Sequence, residues 1–309
     1  MILSKVHPGR TPPRSQPPRG GHSTTLDLIE GLYRRAPHAT LYTPLCKIRD
    51  VLRGCHYLVS TDGERLSAVV AYTDDAIEAT WALPGRAEIL RNLIAQVQRR
   101  LGALSFLPVM ETGRRSWSQM LGLQVLGRYF RARHVAPLPG PPTIPAGFRL
   151  VTVDVARDLP AVVRLMNMAY PSLPDFVDTR DVEEMTSAPY HFPDGWFFLR
   201  EETHRHPVGM AVNGYCPDSD EGFIDWIQVL PRYRRHGLGS LLVTESIRRL
   251  AAASFITVSG SLDAPFAVGD LYRKCGFGQT RQWTILGKQA SSRRAPATPR
   301  GGVRPPKAS

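Results

Sequence analysis

The chain has 309 residues, 42% hydrophobic and 21% charged, which is ordinary for a globular protein and enough for two domains with a core each. No run of eighteen apolar residues occurs to cross a bilayer as a helix, and Met1 to Pro8 hold no apolar stretch of secretory length, so the expectation is a cytoplasmic protein without membrane contact. The formal charge of +12 does not define a nucleic-acid binder, because nine positive charges and no acids stand in the two tails, 1–25 and 289–309.

Both tails are rich in Pro, Gly, Ser and Arg, and their apolar surface is too small to offset the entropy of ordering; they read as disordered, with weak, salt-sensitive contact to polyanions. Cys46, Cys55, Cys216 and Cys275 are widely spaced without a Cys-x-x-Cys pair. That pattern predicts free thiols in or near the core and no structural zinc.

From Leu26 the chain takes on folded character, with a short helix through Leu28, Ile29, Leu32 and Tyr33 ending before Ala36-Pro37. Residues 57–60 and 66–72 read as a hairpin across Asp62-Gly63-Glu64, followed by a strand from Ile77 to Leu83. Ala87, Leu90, Leu93, Ile94 and Val97 give an amphipathic helix, and 104–107 a strand. A helix near 116–122 and a strand through Phe130 complete the first half. The proline-rich stretch 137–146 is stiff and extended and separates the halves.

In the second half, strands are expected at 148–153, 196–200, 208–215, 223–230 and 255–258, with a final pair between Phe277 and Leu286. Helices are expected from Ala156, near Arg180–Met185, from Leu238 and over 266–275. The strand, helix and strand order of 57–107 repeats that of 196–258, an internal echo of pattern more than of identity.

One stretch carries the chemistry. Pro231 stops the strand of 223–230, and Gly237 and Gly239 then allow a sharp turn that leaves free amides at the start of the Leu238 helix. Such amides, with the positive end of a helix dipole, make an anion site.

The loop Arg234-Arg235-His236-Gly237-Leu238-Gly239 fits Arg/Gln-x-x-Gly-x-Gly/Ala, and Leu271-Tyr272-Arg273-Lys274-Cys275-Gly276-Phe277 follows downstream as a Leu-Tyr helix ending at Gly-Phe. In order and spacing the two resemble the signatures of the GNAT acyltransferase superfamily, over about residues 147–288. The resemblance implies an α/β fold, a mixed central sheet flanked by helices, in two tandem copies. The copy over 26–136 is degenerate, since Leu83-Pro84-Gly85-Arg86 replaces the diglycine loop.

The resemblance also implies acetyl-coenzyme A as co-substrate, no metal, and an amine acceptor whose identity the sequence leaves open, as it does the oligomeric state. The pyrophosphate would lie on Arg234, Arg235, His236, Gly237, Leu238, Gly239 and Ser240, and the pantetheine arm along the backbone of Ile227 and Val229. Tyr272 matches the tyrosine that protonates the departing thiolate, and also reads as a core tyrosine with a satisfied hydroxyl. Asp225, a lone acid in an apolar strand, fits either a general base for the amine or a structural hydrogen-bonding group. Arg232 is a further phosphate candidate. Pro265 stands where the family often has asparagine, so Ser259 or Ser261 is the candidate for that contact. The loop 171–177 is where relatives shape the acceptor pocket. A second function class fits the same residues: a non-catalytic module that holds coenzyme A as a sensor or docks a partner through its tails.

Overall fold

The computed structural model describes residues 22–63, 65–102, 104–111, 117–168, 177–203, 206–263 and 268–288. Most of both tails, residues 171–176 of the acceptor loop and Pro265 lie outside them. The N-terminal half opens with α1 (His22–Arg35), α2 (Pro37–Thr40) and α3 (Leu45–Arg53), then β1 (His56–Asp62), β2 (Arg65–Tyr72) and β3 (Ile77–Ala82) as an antiparallel sheet. It continues with α4 (Ala87–Leu101), β4 (Leu107–Met110), α5 (Trp117–Leu121) and β5 (Gln124–His134). Helix α4 turns the predicted face, Leu90, Leu93, Ile94 and Val97, into a core with Ala68, Val70 and Trp117.

The C-terminal half comprises β6 (Phe148–Thr152), α6 (Val155–Met168), α7 (Thr179–Ser187), β7 (Phe197–Glu201), β8 (Pro207–Cys216), β9 (Glu221–Val229), α8 (Leu238–Arg249), β10 (Phe255–Ser261), α9 (Val268–Lys274) and β11 (Phe277–Gly287). Two expectations are corrected. The strand expected at 104–107 lies at Leu107–Met110, where Pro108 is tolerated because β4 is the sheet edge. The pair expected between Phe277 and Leu286 is one strand of eleven residues, β11, with two register shifts.

β11 is long because it serves both halves. The large sheet runs β4-β11-β5-β10-β9-β8-β7-β6. Strand β5, which closes the N-terminal half, lies between β10 and β11, while β11 lies between β4 and β5. The last strands of the two halves thus interleave in one sheet, apart from β1-β2-β3, a pairing between distant segments that no local pattern encodes.

The joint is locked by a buried polar cluster. Arg131 on β5 and Glu221 on β9, both fully buried, pair at 2.8 Å. Glu221 also accepts from Tyr33 Oη and Thr257 Oγ1, each at 2.5 Å, and Arg131 donates to the Leu41 carbonyl at 3.1 Å. Burial raises the Tyr33 phenol well above its ordinary pKa, so it stays a neutral donor.

Helix α3 is fastened to the C-terminal half three times. Cys46 is disulfide-bonded to Cys216, Lys47 pairs with Asp225, and Arg49 pairs with Asp218. The disulfide corrects the expectation of four free thiols: Cys55 and Cys275 are free, but Cys46 and Cys216, 170 residues apart, are joined by the docking of α3 on the end of β8. Spacing rules for cysteines see only neighbours in sequence.

Candidate functional site

Strands β9 and β10 run parallel and pair from Glu221–Phe255 to Ile224–Val258, and there the ladder ends. Beyond it β10 carries on against β5, with Ser261 opposite Tyr129, while β9 stays with β8 as far as Val229 opposite Gly209. The two strands part, and from Asp225 onward the β10-facing edge of β9 has no ladder partner. At this point the β8–β9 register shifts between Val212 and Asn213, which makes Asp225 the extra residue of a bulge. Asp225, Ile227 and Val229 are half-buried, whereas Trp226 and Gln228 between them are buried.

The strand leads into the glycine loop. Arg235 and Gly237 both have left-handed backbone, with φ of 69° and 78°. Gly237 is the N-cap of α8, without a side-chain cap, and a Cβ there would meet nothing within 4 Å. The first amides of α8, at Leu238, Gly239 and Ser240, have no acceptor within the helix by its geometry, and the space before them is open. Alternating backbone of this kind forms a concave anion cradle. Gly239 lies against Leu271 of α9, which a Cβ would reach at 3.5 Å.

The arginines divide. Arg234 turns back, its Nε donating to the Val229 carbonyl at 2.9 Å, and so fixes the loop to the strand end. Arg235 and His236 are exposed, and Arg232 lies over the Tyr233 ring at 4.8 Å. The Arg234–Val229 bond thus brings the glycine loop beside the parted edge of β9, with the exposed Arg235 in the loop. Of the two serines, Ser259 sits opposite Arg131 in the β10–β5 ladder, and Ser261 Oγ accepts from the Asp263 amide at 3.1 Å.

Tyr272 on α9 is buried in one apolar cluster with Ile224, Val258 and Val243, with Phe130 and Phe277 ring centroids at 5.9 and 5.7 Å. Ile224 and Val258 are the last residues that β9 and β10 pair with each other, so the cluster that holds Tyr272 reaches the point of parting. Phe130 belongs to β5, so the N-terminal half forms part of its wall.

Asp225 is not solitary. Lys47 Nζ lies 2.7 Å from both of its carboxylate oxygens, 5.0 Å from the Phe223 ring centroid and 5.6 Å from that of Tyr190. Asp225 lines a narrow cleft with Met185, Tyr190, His191, Asn213 and Phe223. The cleft is shaped by two local devices. Asp178 and Asp181 form a reciprocal capping box, each side chain accepting the other's amide at 2.9 Å, which sets the start of α7 and hence Met185. Gly214 lies opposite Phe223, and a Cβ at 214 would stand within the Phe223 ring, so only glycine lets that ring lie flat on β8.

Buried polar atoms remain in the cleft. Asn213 Nδ2 donates to the Gly195 carbonyl and Ser246 Oγ, but Asn213 Oδ1 and His191 Nδ1 have no hydrogen-bond partner among the described residues. Burial lowers the His191 pKa, keeping the ring neutral. Among the described residues, no cluster of three His, Cys, Asp or Glu is arranged for a metal, and no helix is long and apolar enough to cross a membrane.

Sequence reasoning missed Lys47, Tyr190, Asn213 and His191. Lys47 is 178 residues from Asp225 and stands on a helix with no motif, so no local signal marks it.

Residues 161–277 match the family model of the acetyltransferase (GNAT) family. Among curated proteins nothing matches the sequence. Among solved structures, the chain is similar to a tandem GNAT protein from the clavulanic acid biosynthesis pathway, at 17% identity and TM-score 0.56 over 86% of this chain and 93% of that one. It is similar to an acetyltransferase of the GNAT family from Colwellia psychrerythraea, at 12% identity and TM-score 0.54 over 85% and 97%. A third is an N-acetyltransferase from Sphaerobacter thermophilus, at 16% identity and TM-score 0.53 over 78% and 84%. The superpositions show a shared fold.

Proposed function

We propose, since residues 161–277 match the acetyltransferase (GNAT) family model, that the chain transfers an acetyl group from acetyl-coenzyme A directly to an amine. The observation that supports this most is the parting of β9 and β10 beside an uncapped helix start at Gly237. In this reading the amides of 237–240 hold the pyrophosphate, with Arg235 adding charge at the rim. The open edge at Ile227 and Val229 pairs with the pantetheine arm, which brings the thioester to the bulge at Asp225.

At that point the transfer needs a neutral amine, a polarised carbonyl and a protonated leaving thiolate. Asp225 takes the proton from the amine or orders a water that does. Tyr272, in the cluster that reaches the parting of the strands, donates its phenolic proton to the thiolate. The N-terminal half, with β3 followed by Leu83-Pro84-Gly85-Arg86 in place of the diglycine loop, binds no coenzyme in this proposal and acts by supplying β5 and Phe130.

Titration with acetyl-coenzyme A by calorimetry, followed by thiol release across a panel of amines, tests the proposal. Tight binding with amine-dependent release is the expected result, and absence of binding refutes it. The ion pair that Lys47 makes with Asp225 favours one second reading, a coenzyme-binding module whose acceptor side is closed. Binding without release across the panel would establish that reading instead.

A further inference from the structure

The Lys47–Asp225 pair differs in kind from the Arg131–Glu221 pair, which also joins the halves. Arg131 and Glu221 are both at 0% side-chain exposure, sealed in the joint. Lys47 and Asp225 keep 21% and 22% exposure, and Asp225 lines a cleft. The first is inaccessible to any exchange partner, and the second is open to one.

The surroundings of Lys47 Nζ are those of an ammonium-binding cage. A carboxylate offers both oxygens at 2.7 Å, and two ring centroids stand at 5.0 and 5.6 Å. Aromatic faces attract cations within about 6 Å. Tyr190 and Phe223 meet edge to face with centroids 5.8 Å apart, so the two rings form adjoining walls. The disulfide at Cys46 and the Arg49–Asp218 pair hold α3 in place on either side of Lys47, so the lysine is not needed to dock the helix. Next to the cage, Asn213 Oδ1 is buried without a partner among the described residues, as is His191 Nδ1. Buried polar atoms without partners are costly, and a ligand in the cleft would satisfy them.

We propose that Asp225, Phe223 and Tyr190 form a subsite for a primary alkylammonium group, that Lys47 is its resident occupant, and that the acceptor is a primary amine which must displace Lys47. The last clause rests on the acyltransferase reading; the first two do not. In the reaction the subsite, with Lys47 displaced, holds the acceptor as its ammonium, which loses one proton to become the nucleophile. The new N–C bond forms as the C–S bond breaks, the nitrogen gives up a second proton, and of the two protons one goes to the thiolate and one is released.

Lys47→Ala removes the equivalent of n-propylammonium, so that cation is the probe. Its binding is measured by calorimetry at fixed ionic strength and without acetyl-coenzyme A, in wild type, Lys47→Ala, Lys47→Met and the Lys47→Ala/Asp225→Asn double variant. The vacated cage should bind n-propylammonium at least about tenfold more tightly than wild type, as expected for a desolvated cation over aromatic faces. Lys47→Met, which still fills the space, should not gain, and Asp225→Asn should abolish the gain. Lys47→Ser provides a second vacated form should Lys47→Ala not fold. Equal, weak binding in wild type and in a folded vacated variant overturns the cage. With acetyl-coenzyme A added, Lys47→Ala should lower the KM for primary amines about tenfold, matching the probe. An unchanged KM alongside intact probe binding would overturn the acceptor assignment alone.

Discussion

Glu221→Gln tests whether the two halves are locked by buried charge. The substitution keeps the shape of the side chain and leaves the Arg131 guanidinium at zero exposure without its counter-charge, held by the Leu41 carbonyl and the neighbouring hydroxyls. An arginine cannot shed its proton to escape, and removing one partner of a buried pair costs about 3–5 kcal/mol. Taking an m-value of about 3 kcal/mol/M in urea, the midpoint should fall by about 1 to 1.7 M. Arg273–Asp270 is the control: its N–O distance is also 2.8 Å, but its side chains are 71% and 61% exposed. Exposed pairs contribute about 0–1 kcal/mol, so Arg273→Ala should move the midpoint by no more than about 0.3 M on the same m-value. Urea unfolding followed by tryptophan fluorescence reads both, and the Arg131→Met/Glu221→Leu double variant should recover most of the loss, because apolar replacement removes the desolvation cost. A loss below about 1 kcal/mol for Glu221→Gln would refute the reasoning, since the cluster would then not depend on its charges.

Tyr272→Phe should lower kcat by about a hundredfold or more if the phenol protonates the thiolate, with coenzyme affinity unchanged by calorimetry; a loss below about threefold in a folded variant assigns the hydroxyl a structural role. Gly237→Val forces a β-branched residue to a φ of 78° and fills open space before the α8 amides, so acetyl-coenzyme A binding should vanish in a protein that still unfolds cooperatively, and unchanged affinity would move the phosphate site elsewhere. Thiol alkylation and intact mass should count two reactive cysteines in the denatured protein without reductant and four with it, and Cys46→Ser/Cys216→Ser should cost about 2–4 kcal/mol; four reactive thiols without reductant would exclude the disulfide. His38 is held down to about 4 by burial and then by Arg281, Arg131 and Arg133. Its folded pKa lies below its unfolded one, so its contribution to stability is present above pH 6.5 and lost as pH falls toward 4. His38→Gln should flatten that part of the stability profile, and an unchanged slope would show that other groups govern it.

Much of the fold was legible because it depends on near neighbours. The period of Leu90, Leu93, Ile94 and Val97 fixes the buried face of α4 whatever lies opposite. Pro231 and the two glycines at 237 and 239 dictate where β9 stops and how α8 starts, since ring closure and missing Cβ atoms act within the residue itself. That is why the strand end and the glycine turn before α8 could be placed residue by residue.

What only the tertiary structure decided lies between segments far apart in the chain. That β11 lies between β4 and β5 and β5 between β11 and β10, that Cys46 meets Cys216, and that Arg131 meets Glu221 are pairings of halves. Each residue alone reads as an ordinary strand, thiol or charge. Asp225 shows the limit most sharply. Its sequence context marks a lone acid in an apolar strand and leaves its partner open. The partner, Lys47, comes from a helix 178 residues earlier, and only the closing of one half on the other brings an ammonium to that carboxylate, because the energy of the pair depends on the distance and solvent exposure that the fold sets and the sequence does not.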